Sequence, residues 1–194
     1  MGSQKCIAGP TGLAFVAVHP EARAKLLKGQ AYYLDLVKHL DKIAENETPY
    51  TPAVPLFVAC AEAVRMVHEE GLDNRVRRHA RLAEASRQAA AALGLELYPD
   101  ARHSSPTCTA LRYPAGVGDK EVRGVMKDKF GVVVAGGQEP EAKGKIFRIG
   151  HMGNVTFREL GACFGALEGA LARTNFKFEK GAAVGAVADA AAAA

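Results

Sequence analysis

Two side chains stand where they could do chemistry rather than fill a core. Lys5 closes Gly2-Ser3-Gln4-Lys5, and Arg148 sits inside Phe147-Arg148-Ile149-Gly150-His151-Met152-Gly153. A lysine near the start of a chain is ordinarily a solvated cation. Lys5, however, leads through Cys6-Ile7-Ala8-Gly9-Pro10-Thr11-Gly12 into an apolar run at 13–18. A glycine-punctuated turn before a buried strand could hold the amine in a desolvated pocket, where its pKa falls and it can form a Schiff base. An arginine in a strand-like run usually carries its head to water at a sheet edge. The chemical alternative for Arg148 is to grip a carboxylate with its planar fork, through two parallel hydrogen bonds that a lysine cannot reproduce as well.

A third feature is Thr48-Pro49-Tyr50-Thr51-Pro52. Each proline pushes its predecessor into an extended conformation, so the segment is a rigid loop. A threonine in such a turn suits the cap of the following helix. Arg75, Arg77, Arg78 and His79 lie together in a helical pattern and are expected on a solvated face. Cys6, Cys60, Cys108 and Cys163 lie far apart with no CxxC pair, which suggests neither a zinc site nor a disulfide framework. A reducing, cytoplasmic setting follows as the expectation.

The elements that must position these residues are legible from periodicity and punctuation. The run at 13–18 suits a buried strand, and Pro20 suits the start of a helix over 21–28 stopped by Gly29. Residues 32–47 open with helical periodicity and then turn polar. Two long helices are expected at 54–70 and 73–93, with Gly71 and Gly94 as stops, forming a helical arm. Strands are expected at 95–98, 107–113, 132–135 and 145–150. A helix at 119–130 ends at Gly131, and a last one at 156–172 has Thr156 and Glu159 in capping-box spacing. These strands are too few for a doubly wound sheet, so residues 65–175 are read as an α+β layer. The Ala- and Gly-rich tail from Lys180 is low in complexity and expected to be frayed or weakly helical. No internal repeat is found.

Composition narrows the function classes. The 194 residues are 48% hydrophobic and 24% charged, as expected of a folded, water-soluble protein. No apolar run approaches the roughly 20 residues needed to cross a bilayer, and no secretory leader opens the chain. The net charge of +4 is spread out, without basic runs interleaved with aromatics, which argues against a nucleic-acid partner and suits an anionic small molecule.

Taken in order, Gly2-Ser3-Gln4-Lys5, then Gly9-Pro10-Thr11-Gly12 with Leu13-Ala14-Phe15-Val16, then the Thr48–Pro52 loop, then Phe147–Gly153, resemble the class V, fold-type I pyridoxal-phosphate-dependent aminotransferases, in particular the serine-pyruvate and alanine-glyoxylate group. The helical arm from Glu69-Glu70-Gly71-Leu72 to Ala92-Leu93-Gly94-Leu95 and the strand at 131–137 are similar to that group as well. The resemblance covers about residues 2–175 and matches the C-terminal half of such enzymes. It implies an α/β fold: the end of a large cofactor-binding domain (1–53), a connecting helix (54–71), an α+β small domain with a mixed or antiparallel sheet covered by helices (72–176), and a low-complexity tail (177–194).

The resemblance also implies roles. Lys5 would carry pyridoxal 5'-phosphate and serve as catalytic base and acid. Gln4, Thr51 and Thr48 would contact the cofactor phosphate, the threonines from the neighbouring subunit, and Arg148 would hold the substrate α-carboxylate. His151 is left outside the site, because Met or Leu occupies such places in relatives. The activity implied is transfer of an amino group from an amino acid of serine, alanine or aspartate type to a 2-oxo acid. The carboxylate that keeps the cofactor ring nitrogen protonated, and the aromatic that stacks on the ring, come in this family from the domain preceding the lysine. This chain contains no tryptophan. A separately supplied N-terminal half, in a homodimer-like assembly, is therefore the expected partner, with a truncated product or a non-catalytic binding module as alternatives. Phosphoserine aminotransferase shares a Gln-Lys segment but fits the Phe147–Gly153 motif less well. A cysteine desulfurase would carry His where Gln4 stands.

Overall fold

The computed structural model describes residues 1–193, apart from the side chain at position 101, and divides into two units, Met1–Glu69 and Glu70–Ala194. Position 194, the last of the expected tail, lies outside the described residues.

In the first unit the chain doubles back on itself at once. Gly2 bridges Ala14 in antiparallel fashion, the Ser3 amide donates to the Leu13 carbonyl at 3.0 Å, and the Phe15 amide donates to the Met1 carbonyl at 2.8 Å. The expected buried strand at 13–18 does not form beyond that bridge, and Val16 is 63% exposed. A strand needs neighbours, and among the described residues none pairs its backbone with 16–18. The expected helix at 21–28 shrinks to α1, Pro20–Arg23, with His19 as its cap. Helix α2, Leu36–Ala44, forms on the helical periodicity of the stretch 32–47 and is capped by Asp35, which accepts from the amides of Val37, Lys38 and Gly29. These amides hold the Asp35 carboxyl below the usual carboxylate range, the Gly29 contact most strongly.

Helix α3, Val54–Glu70, follows the expected span, yet only Cys60 and Ala63 are buried along it. Both lie against Gly9, where an added Cβ would stand 3.5 Å from the Cys60 sulfur and 3.6 Å from the Ala63 methyl. Val54, Phe57 and Val58 stay exposed.

The second unit contains the core. Helix α4, Leu72–Ala92, buries Leu82, Ala85, Ala89 and Ala90, and Gly94 ends it in the left-handed region at φ 71°. Strands β1 (Cys108–Arg112), β2 (Ala135–Gly136) and β3 (Ile146–Gly150) form an antiparallel sheet in the order β1-β3-β2. The expected strand at 95–98 reduces to a bridge between Leu97 and Leu111, and the one at 132–135 to the two residues of β2. The expected helix at 119–130 is a π-helical turn, Lys120–Gly124, running into α5, Val125–Phe130. Leu111, Phe147 and Ile149 of the sheet join Leu82 and Ala89 of α4 and the buried face of α6, Phe157–Leu171, in one cluster. Thr156 and Glu159 complete the capping box of α6 as its spacing requires.

The tail corrects the sequence reading. Residues Ala182–Ala192 form α7, which packs on α4 and α6 and fully buries Ala183. Small side chains let the helices approach closely, and the Glu168 carboxylate accepts the amides of Gly181 and Ala183 at its start. Low complexity here marks a tight helical contact, not fraying.

Candidate functional site

Arg148 occupies the middle of β3, the central strand, with Ala110 of β1 opposite on one side and Ala135 of β2 on the other. Strand alternation puts Phe147 and Ile149 into the core and turns Arg148 to the opposite face. Its register partners on both flanks are alanines, and Arg148 is half-buried on that face. Its Nε donates to the Gly136 carbonyl at 2.9 Å, which orients the guanidinium plane. Among the described residues the two terminal nitrogens have no acceptor, so the edge of the fork stays open to a planar anion. Gly136 is itself constrained: a Cβ there would meet the Arg123 guanidinium at 2.8 Å.

Lys5 lies in the first unit, in the turn that follows the Gly2–Ala14 bridge. Its backbone is held at both ends, its amide donating to Gly2 and its carbonyl accepting the Ala8 amide at 2.9 Å. The anchor of the turn is Ser3, fully buried, whose hydroxyl faces the carbonyls of Pro10 and Leu13. Lys5 and Gln4 are exposed. The expectation of a desolvated lysine pocket is therefore not met within this chain, because no described segment of its unit covers the turn.

Thr48 and Thr51 are exposed in the loop between α2 and α3. Thr48 Oγ1 donates to the Tyr50 carbonyl at 2.7 Å, a contact that shapes the loop. Tyr50 anchors this loop: its ring stacks on Tyr33 at 4.9 Å, and its hydroxyl accepts from Lys38 at 3.0 Å while donating to the Tyr32 carbonyl. Lys5, Gln4, Thr48 and Thr51 thus belong to the first unit and Arg148 to the second.

Sequence reasoning missed a polar network beside β3. Of the four residues expected on a solvated helix face, only Arg77 is exposed; Arg75 is 4% and His79 5% exposed, and Arg78 is partly buried. Glu70 receives both Arg75 and Arg78 at 2.6 Å, which holds its carboxyl below the ordinary range. Arg78 further donates to the carbonyls of Gly153 and Val155, each at 2.8 Å, and Arg75 donates to Asn154. His79 Nδ1 donates to the Arg75 carbonyl, and its Nε2 accepts the Gly153 amide at 2.9 Å, so the ring is neutral. The signal lay in the spacing: positions 75, 78 and 79 share one helical face, and 77 does not.

His151 is also fully buried, with Nε2 on the Thr109 hydroxyl at 2.9 Å and no hydrogen-bond partner for Nδ1 among the described residues. Burial, with the Arg87 charge second, pushes its pKa down to about 4.

The Aminotransferase class-V pattern matches residues 1–153. An uncharacterized aminotransferase of Methanocaldococcus jannaschii is 43% identical, the alignment covering 92% of this chain and 47% of that protein. A soluble hydrogenase small subunit of Synechococcus sp. is 44% identical over 95% of this chain and 48% of its own length. Among solved structures, ureidoglycine-glyoxylate aminotransferase from Bacillus subtilis superposes with a TM-score of 0.91 at 31% identity, over 98% of this chain and 51% of that one. The chain thus spans about half the length of the relatives it matches.

Proposed function

Because the chain belongs to the aminotransferase class-V family, we propose that it forms the C-terminal part of an enzyme that moves an amino group from a serine-, alanine- or aspartate-type amino acid to a 2-oxo acid, using pyridoxal 5'-phosphate. The observation that carries this reading is Arg148: a guanidinium oriented by Gly136, flanked by two alanines, with its outer edge open. That arrangement suits the α-carboxylate common to both substrates of such an exchange.

The residues present fit two ends of the cofactor. Lys5 supplies an accessible amine for its aldehyde, Gln4 and Thr51 supply amide and hydroxyl donors for its phosphate, and Thr48 would join them by turning its hydroxyl from the Tyr50 carbonyl. When bound, the cofactor supplies an electron sink for the charge left on the substrate Cα. Lys5 Nζ then acts as the base that takes the Cα proton and the acid that returns one. Arg148 holds the carboxylate so that the Cα–H bond keeps one orientation during that transfer.

A complementary N-terminal half is the proposed partner, in a homodimer-like assembly in the cytoplasm. Phe15, Val16, Phe57 and Val58 of the first unit are exposed apolar side chains that such a half would cover. The same cover would desolvate Lys5. No helix among the described residues is long and apolar enough to cross a membrane.

The test is to mix the purified chain with pyridoxal phosphate, alone and with a polypeptide supplying the preceding half. A visible absorption band that needs the partner, and is lost in Lys5→Ala, is the expected result. No band under any pairing overturns the reading and favours a non-catalytic binding module.

A further inference from the structure

The connection from β3 to α6, residues 151–155, is gripped at three successive positions by one face of α4. Arg78 takes the Gly153 and Val155 carbonyls, His79 takes the Gly153 amide, and Arg75 takes the Asn154 side chain. Glu70, the last residue of α3, holds both arginines. A second grip acts from β1: the His151 amide donates to the Thr107 carbonyl at 3.0 Å, and its ring meets Thr109. Gly153 sits at φ 78°, where a side chain would be strained, so this turn has one favoured path.

Gly153 lies five positions after Arg148, and β3 reaches to Gly150. A one-residue slip of β3 would turn every side chain on it to the other face, burying Arg148 and exposing Phe147. The core side chains of β3 and its five-residue pairing with β1, which runs out to Cys108 opposite Gly150, oppose such a slip, whereas β2 offers only two paired residues on the other flank. Contacts beyond Gly150 add to that hold on the side where the ladder is short.

We propose that Arg78 and His79 are positioning residues for Arg148, pinning the β3–α6 turn so that β3 keeps its register and the guanidinium keeps its bond to Gly136. This rests on the carboxylate role proposed for Arg148, but the geometry can be tested without it. His79 is suited to the task because a neutral ring with both nitrogens engaged ties the α4 backbone at Arg75 to the turn backbone at Gly153. Arg78 contributes a charge-assisted fork to two carbonyls that no uncharged side chain could reach together.

The test uses the isotope-labelled full chain, following exchange of the Arg148 Nε–H and the Gly153 amide with solvent by NMR. In His79→Leu both should exchange at least roughly ten times faster, since a buried acceptor is removed. His79→Gln, which keeps an acceptor, should restore most of the protection. If His79→Leu does not fold, Arg78→Lys is the substitute, with the same expectation. Faster exchange at Gly153 with no change at Arg148 would overturn the proposal and leave a purely local contact. In the reconstituted enzyme, His79→Leu should raise KM for the amino donor more than it lowers kcat. If instead Arg148→Lys leaves KM unchanged while the exchange result stands, the carboxylate reading fails and the positioning does not.

Discussion

Arg148 gives its Nε–H to the Gly136 carbonyl across the β2–β3 pair, at 2.9 Å. That bond turns a flexible cation into an oriented fork, and lysine has no counterpart to it. In the reconstituted enzyme, Arg148→Lys should lower kcat/KM for the amino donor by roughly 10- to 100-fold, the value of one charge-assisted hydrogen bond. Steady-state kinetics on donor and acceptor would check it. Both should suffer, since both present a carboxylate, and an unchanged value for either would argue against the assignment.

Lys5 is exposed, so its removal should separate activity from stability. Lys5→Ala should abolish amino transfer while changing the unfolding free energy of the chain by less than about 0.5 kcal/mol. Ser3→Ala in the same turn should do the reverse in part. It deletes a buried hydroxyl that serves the carbonyls of Pro10 and Leu13, and should destabilise by about 1–3 kcal/mol in urea unfolding.

His151 predicts a pH dependence. Its folded pKa lies at about 4, below the ordinary 6.5, so between these values the unfolded chain binds the extra proton. The stability associated with the neutral ring is thus fully present above 6.5, falls as pH drops toward 4, and is level below that. The loss should amount to about 3 kcal/mol at most. Denaturant midpoints from pH 7 to 4 would show it, and a His151→Asn variant should lack that part of the slope. A parallel slope in the variant would contradict the assignment.

Gly137 is a packing test. A Cβ there would run into the Ala142 carbonyl oxygen, a backbone atom that cannot rotate away. Gly137→Ala should therefore cost about 1–3 kcal/mol or displace the turn that feeds β3. Gly185→Ala on α7, where nothing lies within 4 Å of the added methyl, should instead be neutral or stabilising. Thermal melts of the two variants make the comparison.

For α7, burial is the prediction. Val187→Asp would place a charge among α4, α6 and α7, where position 187 is 3% exposed. It should destabilise the second unit by about 3 kcal/mol or more, whereas a frayed tail would leave the melting temperature unchanged.

Much of this protein was set by sequence alone. The spans of α3, α4 and α6 follow from apolar spacing and from Gly71, Gly94 and Thr156, because helix limits depend on hydrogen bonds a few residues away. The candidate residues Lys5, Gln4, Thr48, Thr51 and Arg148 were legible because their motifs are local too. Tertiary structure decided what local pattern cannot carry. Residues 13–18 read as a strand but have no ladder to join, since a strand depends on partners distant in the chain. The Ala-rich tail read as loose but is buried by α4 and α6. Arg75 and His79 read as solvated charge, yet the β3–α6 turn, over seventy residues away, supplies their hydrogen-bond partners. Lys5 remains the converse case: the sequence marks it as a nucleophile, and the chain's own fold leaves it in water, because burial is a property of whatever packs over a residue.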